Sequence, residues 1–158
     1  MTLDDVDAVF QIALISFPDH FESRACFANR LALNPTGCFV LDRGDSTVQG
    51  YLMAYPWIAG AAPKINTLIN ALPAKASVMY LQDMALHPRV RRAGWSGPMV
   101  ERLAAETRAA GWTRLALIAV NDAAPFWERH GFAAIEAPAL VETLAGYGPE
   151  ARYMIRRL

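Results

Sequence analysis

Apolar residues recur at Val6, Val9, Phe10, Ala13 and Leu14 of "TLDDVDAVFQIAL", the spacing of one helical face. Thr2 and Asp5 stand ahead of them in capping-box spacing, and Pro18 ends the segment. "FESRACFANRLAL" (21–33) predicts a second helix with Phe21, Ala25, Ala28 and Leu31 or Ala32 inward. The period then changes. "GCFVLDRGDSTVQGYLMAYP" predicts two strands joined by a turn at Arg43-Gly44-Asp45-Ser46. "SVMYLQDMAL" (77–86) is nearly all apolar, as a central strand covered on both faces requires, and "TRLALIAV" (113–120) reads the same way. Between them a helix is predicted from Pro98 to Ala110. Met99, Val100, Leu103 and Ala110 form its apolar face, Gly111 is its stop, and Arg102 pairs with Glu106 on the solvent side. "APFWERHG" (124–131) predicts a short helix closed by Gly131, and "RYMIRRL" (152–158) alternates like a last strand.

Strand, helix, strand, helix, strand in the central part predicts an α/β or α+β layer around one sheet, and no linker divides residues 1–158. The connection "WIAGAAPKINTLINALPAKA" (57–76) departs from the usual polar loop and carries a predicted short helix near 66–71. Such a segment packs on the body, lines a groove, or meets another subunit, a homodimer then being the partner. Hydrophobic residues make up 54% and charged residues 19%, which excludes a disordered chain. Formal net charge is zero and Lys64 and Lys75 are the only lysines, so nothing favours nucleic acid as a partner. Cys26 and Cys38 lack CxxC spacing and read as buried free thiols, while the three scattered histidines offer no metal-site spacing. Without a leader or an apolar run of membrane-spanning length, a soluble cytoplasmic protein with no membrane partner is expected.

The chemistry concentrates in "HPRVRRAGWSGPMVERL" (87–103). Glycines let a backbone turn tightly and present its N–H groups to a ligand, and a helix start adds unpaired N–H groups and a positive dipole end. Strand, glycine loop and helix together make an anion site, to which arginines add charge. Neither GxxxxGK[ST] nor GxGxxG is present. Arg91-Arg92-Ala93-Gly94-Trp95-Ser96 resembles the [QR]-x-x-G-x-[GA] pyrophosphate loop of the GCN5-related N-acetyltransferase (GNAT) family, with Arg91 and Gly94 matching and Ser96 replacing the last small residue. "YLQDMALHPRVRRAGW" is similar to the family's strand and its approach to that loop, and "VNDAAPFWERHGF" (120–132) to its second signature. "YGPEARYMIRRL" resembles the family's closing strand.

The resemblance implies a single GNAT-like domain with a mixed, mostly antiparallel sheet flanked by helices. The family usually has a strand before the first helix; this sequence begins at that helix, so either the strand is absent or the true start lies upstream. It also implies acetyl-CoA as cosubstrate and direct attack by an amine in a ternary complex. The loop residues Arg91, Arg92, Ala93, Gly94, Trp95, Ser96 and Gly97 would hold the pyrophosphate. The main chain of Met84, Ala85 and Leu86 would pair with the pantetheine arm and polarise the thioester. Asn121, Phe126 and Trp127 would complete the cofactor site.

A general base needs a carboxylate near this strand. Where many family members carry Glu-Asp, this chain has Gln82-Asp83, which leaves Asp83, although an aspartate in a central strand equally serves as a structural acceptor. His87 is a second candidate by its ordinary pKa, at the exposed loop entrance. The family's aromatic pair commonly ends in tyrosine; here it is Phe126-Trp127, and indole releases no proton near neutral pH. Water, or Tyr147 or Tyr153, would then protonate the leaving thiolate, or no acid is needed. The expected acceptor is a small-molecule, protein or peptide amine. Phe21, Trp57 and Tyr147 are candidate groove walls, and Asp19 and Glu22 alone do not establish an acidic groove. An acyl-CoA-binding protein with little turnover is the second reading, motivated by Gln82 and Trp127.

Overall fold

The apolar runs become strands of one sheet in a computed structural model that describes residues 1–42, 44 and 47–158. Among these residues the strands are β1 (Cys38–Asp42), β2 (Val48–Trp57), β3 (Val78–Leu86), β4 (Arg114–Ala119), β5 (Ala133–Ala134) and β6 (Arg152–Arg157). Their order is β1-β2-β3-β4-β6-β5, and every neighbouring pair is antiparallel except β3–β4. The helices are α1 (Val6–Ser16), α2 (Arg24–Leu33), α3 (Ser96–Ala109), α4 (Ala124–Arg129) and α5 (Val141–Tyr147). This is the mixed, mostly antiparallel sheet between helices that the sequence predicts. No strand precedes α1 among the described residues. The sheet edges are β5 and β1, and the Cys38 carbonyl of β1 accepts from the Met1 nitrogen at 3.2 Å.

Strand alternation sorts the core into two layers. Leu52, Ala54, Met79, Leu81, Leu115 and Leu117 pack under Val100, Leu103 and Trp127 of α3 and α4. Tyr51, Met53, Tyr55 and Tyr80 point to the other face, toward α1, α2 and the residues ahead of α5. Each fully buried leucine of these layers stabilises the fold by about 2 kcal/mol.

Four local expectations change. The α2 face is rotated: Cys26, Phe27, Arg30 and Leu31 are buried, Ala25 and Ala32 are exposed, Ala28 is half-buried, and Phe21 lies before the helix. A buried arginine breaks the apolar pattern that marks an inward face. No helix forms at 66–71, since Asn66 sits at φ 51°, outside helical backbone. The segment is instead pinned at both ends of its run. The Asn29 side chain bonds Ile69 N and O at 2.9 and 3.0 Å, and Tyr153 Oη accepts from Gly60 N at 2.9 Å. Buried Ile69 packs with Tyr55 and Tyr80, so the apolar connection belongs to the body. Helix α3 starts at Ser96, two residues before Pro98. The proline falls within the first turn, where no N–H is needed. Finally, α5 and the two-residue β5 have no counterpart in the sequence reading. The expected turn at 43–46 falls on residues outside the described ones, Gly44 excepted.

Cys26 and Cys38 are free and buried, and burial pushes the Cys38 thiol up to about 12, which keeps it protonated and inert. Among the described residues no helix is long and apolar enough to cross a membrane.

Candidate active site

Parallel strands β3 and β4 pair only at Met79–Leu115 and Tyr80–Ala116, and then part. From Leu81 onward, alternate main-chain N–H and C=O groups on that edge of β3 lose their sheet partner. A cavity of about 300 Å³ opens in the gap, lined by Gln82, Asp83, Met84, Arg91, Asn121, Phe126 and Trp127 among others. It unites a strand, a loop and α4, three segments that the sequence singles out separately.

The loop from β3 to α3 forms the rim of this cavity. Buried Val90 anchors it, and the Arg91 guanidinium ties it down, donating to Leu86 O at 3.0 Å and to Ser16 Oγ at 3.1 Å. Arg92 and Gly94 then adopt left-handed backbone, with φ of 65° and 82°. A left-handed residue between right-handed ones turns successive N–H groups toward one concavity, a nest for an anion. The first intrahelical bond of α3 runs from Met99 N to Trp95 O at 3.2 Å, so the N–H groups of Ser96 and Gly97 precede the helical ladder. In front of Gly94 a side-chain carbon would meet no atom within 4 Å. The rim therefore presents donors to open space, and its arginine at 91 serves the loop's own shape as well as its charge.

A bulge in β3 builds the polar floor. Met53 pairs with Asp83 while Ala54 pairs with Leu81, so Gln82 is an extra residue in β3. Consecutive residues of a regular strand point to opposite faces, but at this bulge Gln82 and Asp83 both turn toward the α1–α2 side. There the hydroxyl of Tyr51 donates to the Asp83 carboxylate. Tyr55 Oη donates to Gln82 Oε1 at 2.6 Å, and Gln82 Nε2 donates to Glu22 Oε2 at 3.1 Å. Glu22 also accepts from Asn66 N at 3.3 Å and lies 3.5 Å from the guanidinium of Arg30, which is 1% exposed. Burial, with the Glu22 charge adding to it, raises the Asp83 carboxyl to about 7; the Tyr51 hydrogen bond works against that rise.

A second, smaller cavity of about 60 Å³ lies on this side, lined by His20, Glu22, Tyr80 and Tyr147 among others. It shares Phe17, Gln82, Asp83, Ile118 and Val120 with the larger one. Asp83 thus stands at the junction of two cavities. Tyr147 lines the smaller cavity and not the larger one, its ring stacked on His20 at 5.3 Å, and burial raises its hydroxyl to about 12. Trp127 is nearly buried between Phe126 and Phe132, at ring distances of 4.9 and 5.4 Å. Asn121 and Asp122, at φ 51° and 58°, carry the chain sharply from β4 toward α4.

Other candidates lie elsewhere. His87 caps a turn, its Nδ1 accepting from Arg89 N at 3.2 Å, and lines neither cavity. Tyr153 bonds Gly60 from the sheet, and Trp57 packs edge-on against Tyr55 at 5.9 Å, a core contact in place of a groove wall. Sequence reasoning left Arg30 unassigned and named Glu22 only as too little to establish an acidic groove. The one available signal was an arginine within an apolar helical face. Arg30→Met leaves the Glu22 carboxylate without its cation, and is expected to destabilise the protein by about 3 kcal/mol in urea unfolding; adding Glu22→Gln should recover most of the loss.

Residues 6–132 match the acetyltransferase (GNAT) family. Similar folds include Ard1 from Thermoplasma volcanium, at 15% identity and a TM-score of 0.76 over 100% of this chain and 94% of that one. The GphF GNAT-like decarboxylase in complex with isobutyryl-CoA has 18% identity and a TM-score of 0.73, covering 99% and 96%. The NatB acetyltransferase complex bound to CoA and MES has 13% identity and a TM-score of 0.72, covering 100% and 96%. At such identities the likeness concerns the fold. No curated protein matches the sequence significantly.

Proposed function

This chain belongs to the acetyltransferase (GNAT) family, and we propose that it transfers the acetyl group of acetyl-CoA to a primary amine by direct attack in a ternary complex. The observation that carries this reading is the place of Asp83, a titratable carboxylate where a donor cavity meets an acceptor cavity.

The residues present suit the cosubstrate. The nest at Arg92–Gly94 and the N–H groups of Ser96 and Gly97 fit a pyrophosphate, with the Arg92 charge beside them. The gap between β3 and β4 suits a slender pantetheine arm, with β3 main chain at Met84–Leu86 on one wall and Asn121, Phe126 and Trp127 on the other. Bound acetyl-CoA would supply an activated thioester: the amine nitrogen bonds the acetyl carbon, the carbon–sulfur bond breaks with its electron pair on sulfur, and the second proton of the attacking nitrogen passes to that sulfur directly or through water.

The chain's own residues do the rest. Asp83 takes the proton from the ammonium group of the acceptor, which frees the nitrogen lone pair. A main-chain N–H on the unpaired edge of β3 polarises the carbonyl oxygen. Trp127 and Phe126 exclude water from the larger cavity. Tyr147 holds its proton too firmly to act as a ready acid and serves as a hydrogen-bond donor on the acceptor side. A carboxyl raised to about 7 is a better base near neutral pH than an ordinary aspartate.

Two results test this. CoA thiol release with a panel of amines should exceed the rate without amine; CoA binding with no turnover on any amine would favour the binding-protein reading. The base form of Asp83 must be present, so kcat/KM should fall about tenfold per pH unit below about 7. Tyr51, Gln82, Glu22, His20 and Tyr147 are polar groups that bond this carboxylate or share its cavity. Tyr51→Phe removes the hydrogen bond that lowers the Asp83 pKa, and should move that acid limb to higher pH.

A further inference from the structure

The smaller cavity and the surface groove beside it share Ile65 and Tyr147 in their linings. The inner part holds about 60 Å³, and the outer groove about 270 Å³ between the 63–65 segment and α5. The inner end is closed by carboxylates on one side, Glu22 and Asp83, and flanked by the apolar Phe17, Ile118 and Val120. No lysine or arginine lines it. The one cation packed behind it, Arg30, already faces Glu22 and donates to Asn29 Oδ1 at 2.9 Å. The outer groove is floored by Pro63, Ile65 and Gly146, with Lys64 and Glu142 opposing each other in charge.

Resting on the acetyltransferase reading, we propose that the acceptor is a small primary amine on an unbranched carbon, with its ammonium group between Glu22 and Asp83 and an apolar or aromatic body lying across Ile65 and Tyr147 in the outer groove. Two physical limits select this class. A branch at the amine-bearing carbon must find room in the narrow inner cavity, which a single methylene passes most easily. An α-carboxylate, as in a free amino acid, would enter beside two carboxylates, with no lysine or arginine and only the His20 imidazole in the lining to receive it. A polyamine's second ammonium would meet an apolar floor where the Lys64 charge offsets that of Glu142. Glu22 is then the specificity-determining residue. Arg30 and Asn66 act through it as positioning residues, since they hold its carboxylate from behind.

The decisive comparison uses the wild-type protein with saturating acetyl-CoA and matched acceptors: 2-phenylethylamine, its α-methyl and α-carboxylate analogues, spermidine, a peptide N-terminus and a lysine-containing peptide. The unbranched monoamine should have the highest kcat/KM, about 100-fold above either α-substituted analogue. Ile65→Trp, which narrows the junction of the two spaces, should raise KM for 2-phenylethylamine at least tenfold with acetyl-CoA binding unchanged. Glu22→Gln should do the same where it folds. Equal rates on the branched analogues, or preference for either peptide or for spermidine, would overturn the substrate class and leave the acetyltransferase reading standing. Failure to bind acetyl-CoA at all would overturn both.

Discussion

Asp83→Asn should lower kcat/KM about 100- to 10,000-fold, the range of a lost general base, with acetyl-CoA affinity unchanged. The same substitution should make the protein more stable at pH 8. In the unfolded chain this carboxyl titrates near 4, and in the folded protein at about 7. The folded state therefore binds the extra proton between those values, and stability falls as pH rises through that window. Above about pH 7 the wild-type protein holds a charged carboxylate in a desolvated place. Each pKa unit corresponds to about 1.4 kcal/mol, so the rise from near 4 to about 7 costs the charged form on the order of 2 to 4 kcal/mol at pH 8. Asparagine is neutral and keeps an oxygen to accept from Tyr51. The expected result is a melting temperature higher by roughly 5 °C at pH 8 and little changed at pH 5. An unchanged rate would remove Asp83 from the mechanism. Lower stability at both pH values would mean that Tyr51 and Asp83 serve the fold alone.

Gly94→Val should weaken acetyl-CoA binding about 100-fold. The residue sits at φ 82°, with open space where its side chain would project. Valine there strains the backbone and stands in front of the N–H groups of the loop. Losing two charge-assisted hydrogen bonds to phosphate costs about 3 kcal/mol, which is that factor in affinity. Strain alone must be separated from loss of the anion site. Gly111, at the other end of α3, provides the control, with φ 82° and likewise nothing within 4 Å of an added carbon. Gly111→Val should destabilise the fold similarly and leave acetyl-CoA affinity intact. Equal affinity in the Gly94 and Gly111 variants, measured by calorimetry, would move the phosphate site elsewhere.

The tight turn at 91–97 that leads into α3 was legible because its signal is local. Glycine, proline and a helix start carry their geometry wherever they occur, so Gly94 and Ser96–Pro98 announce a tight turn into a helix. The central strands were legible for a different reason: a run such as Val78–Leu81 has nowhere to go but a covered sheet. The polar cluster around Asp83 was not legible, because long-range pairing builds it. In a regular strand Gln82 and Asp83 would point to opposite faces, but the bulge against Met53–Ala54 turns both inward. Glu22 lies in a loop, with its partners Arg30, Gln82 and Asn66 brought in from α2, β3 and the connection to β3. The inward face of α2 was misread for the same reason, since a buried arginine looks polar until its carboxylate is found. Helix α5 buries none of its residues, so its pattern carries no stripe to read.

The most direct measurement is calorimetric titration of the wild-type protein with acetyl-CoA and with acetyl-pantetheine, which has the thioester and arm but no pyrophosphate, and with ATP as a nucleotide control. The predicted result is one acetyl-CoA site in the micromolar range, acetyl-pantetheine at least about 100-fold weaker, and no comparable site for ATP. Equal affinity for acetyl-CoA and acetyl-pantetheine, or no binding of either, would contradict it.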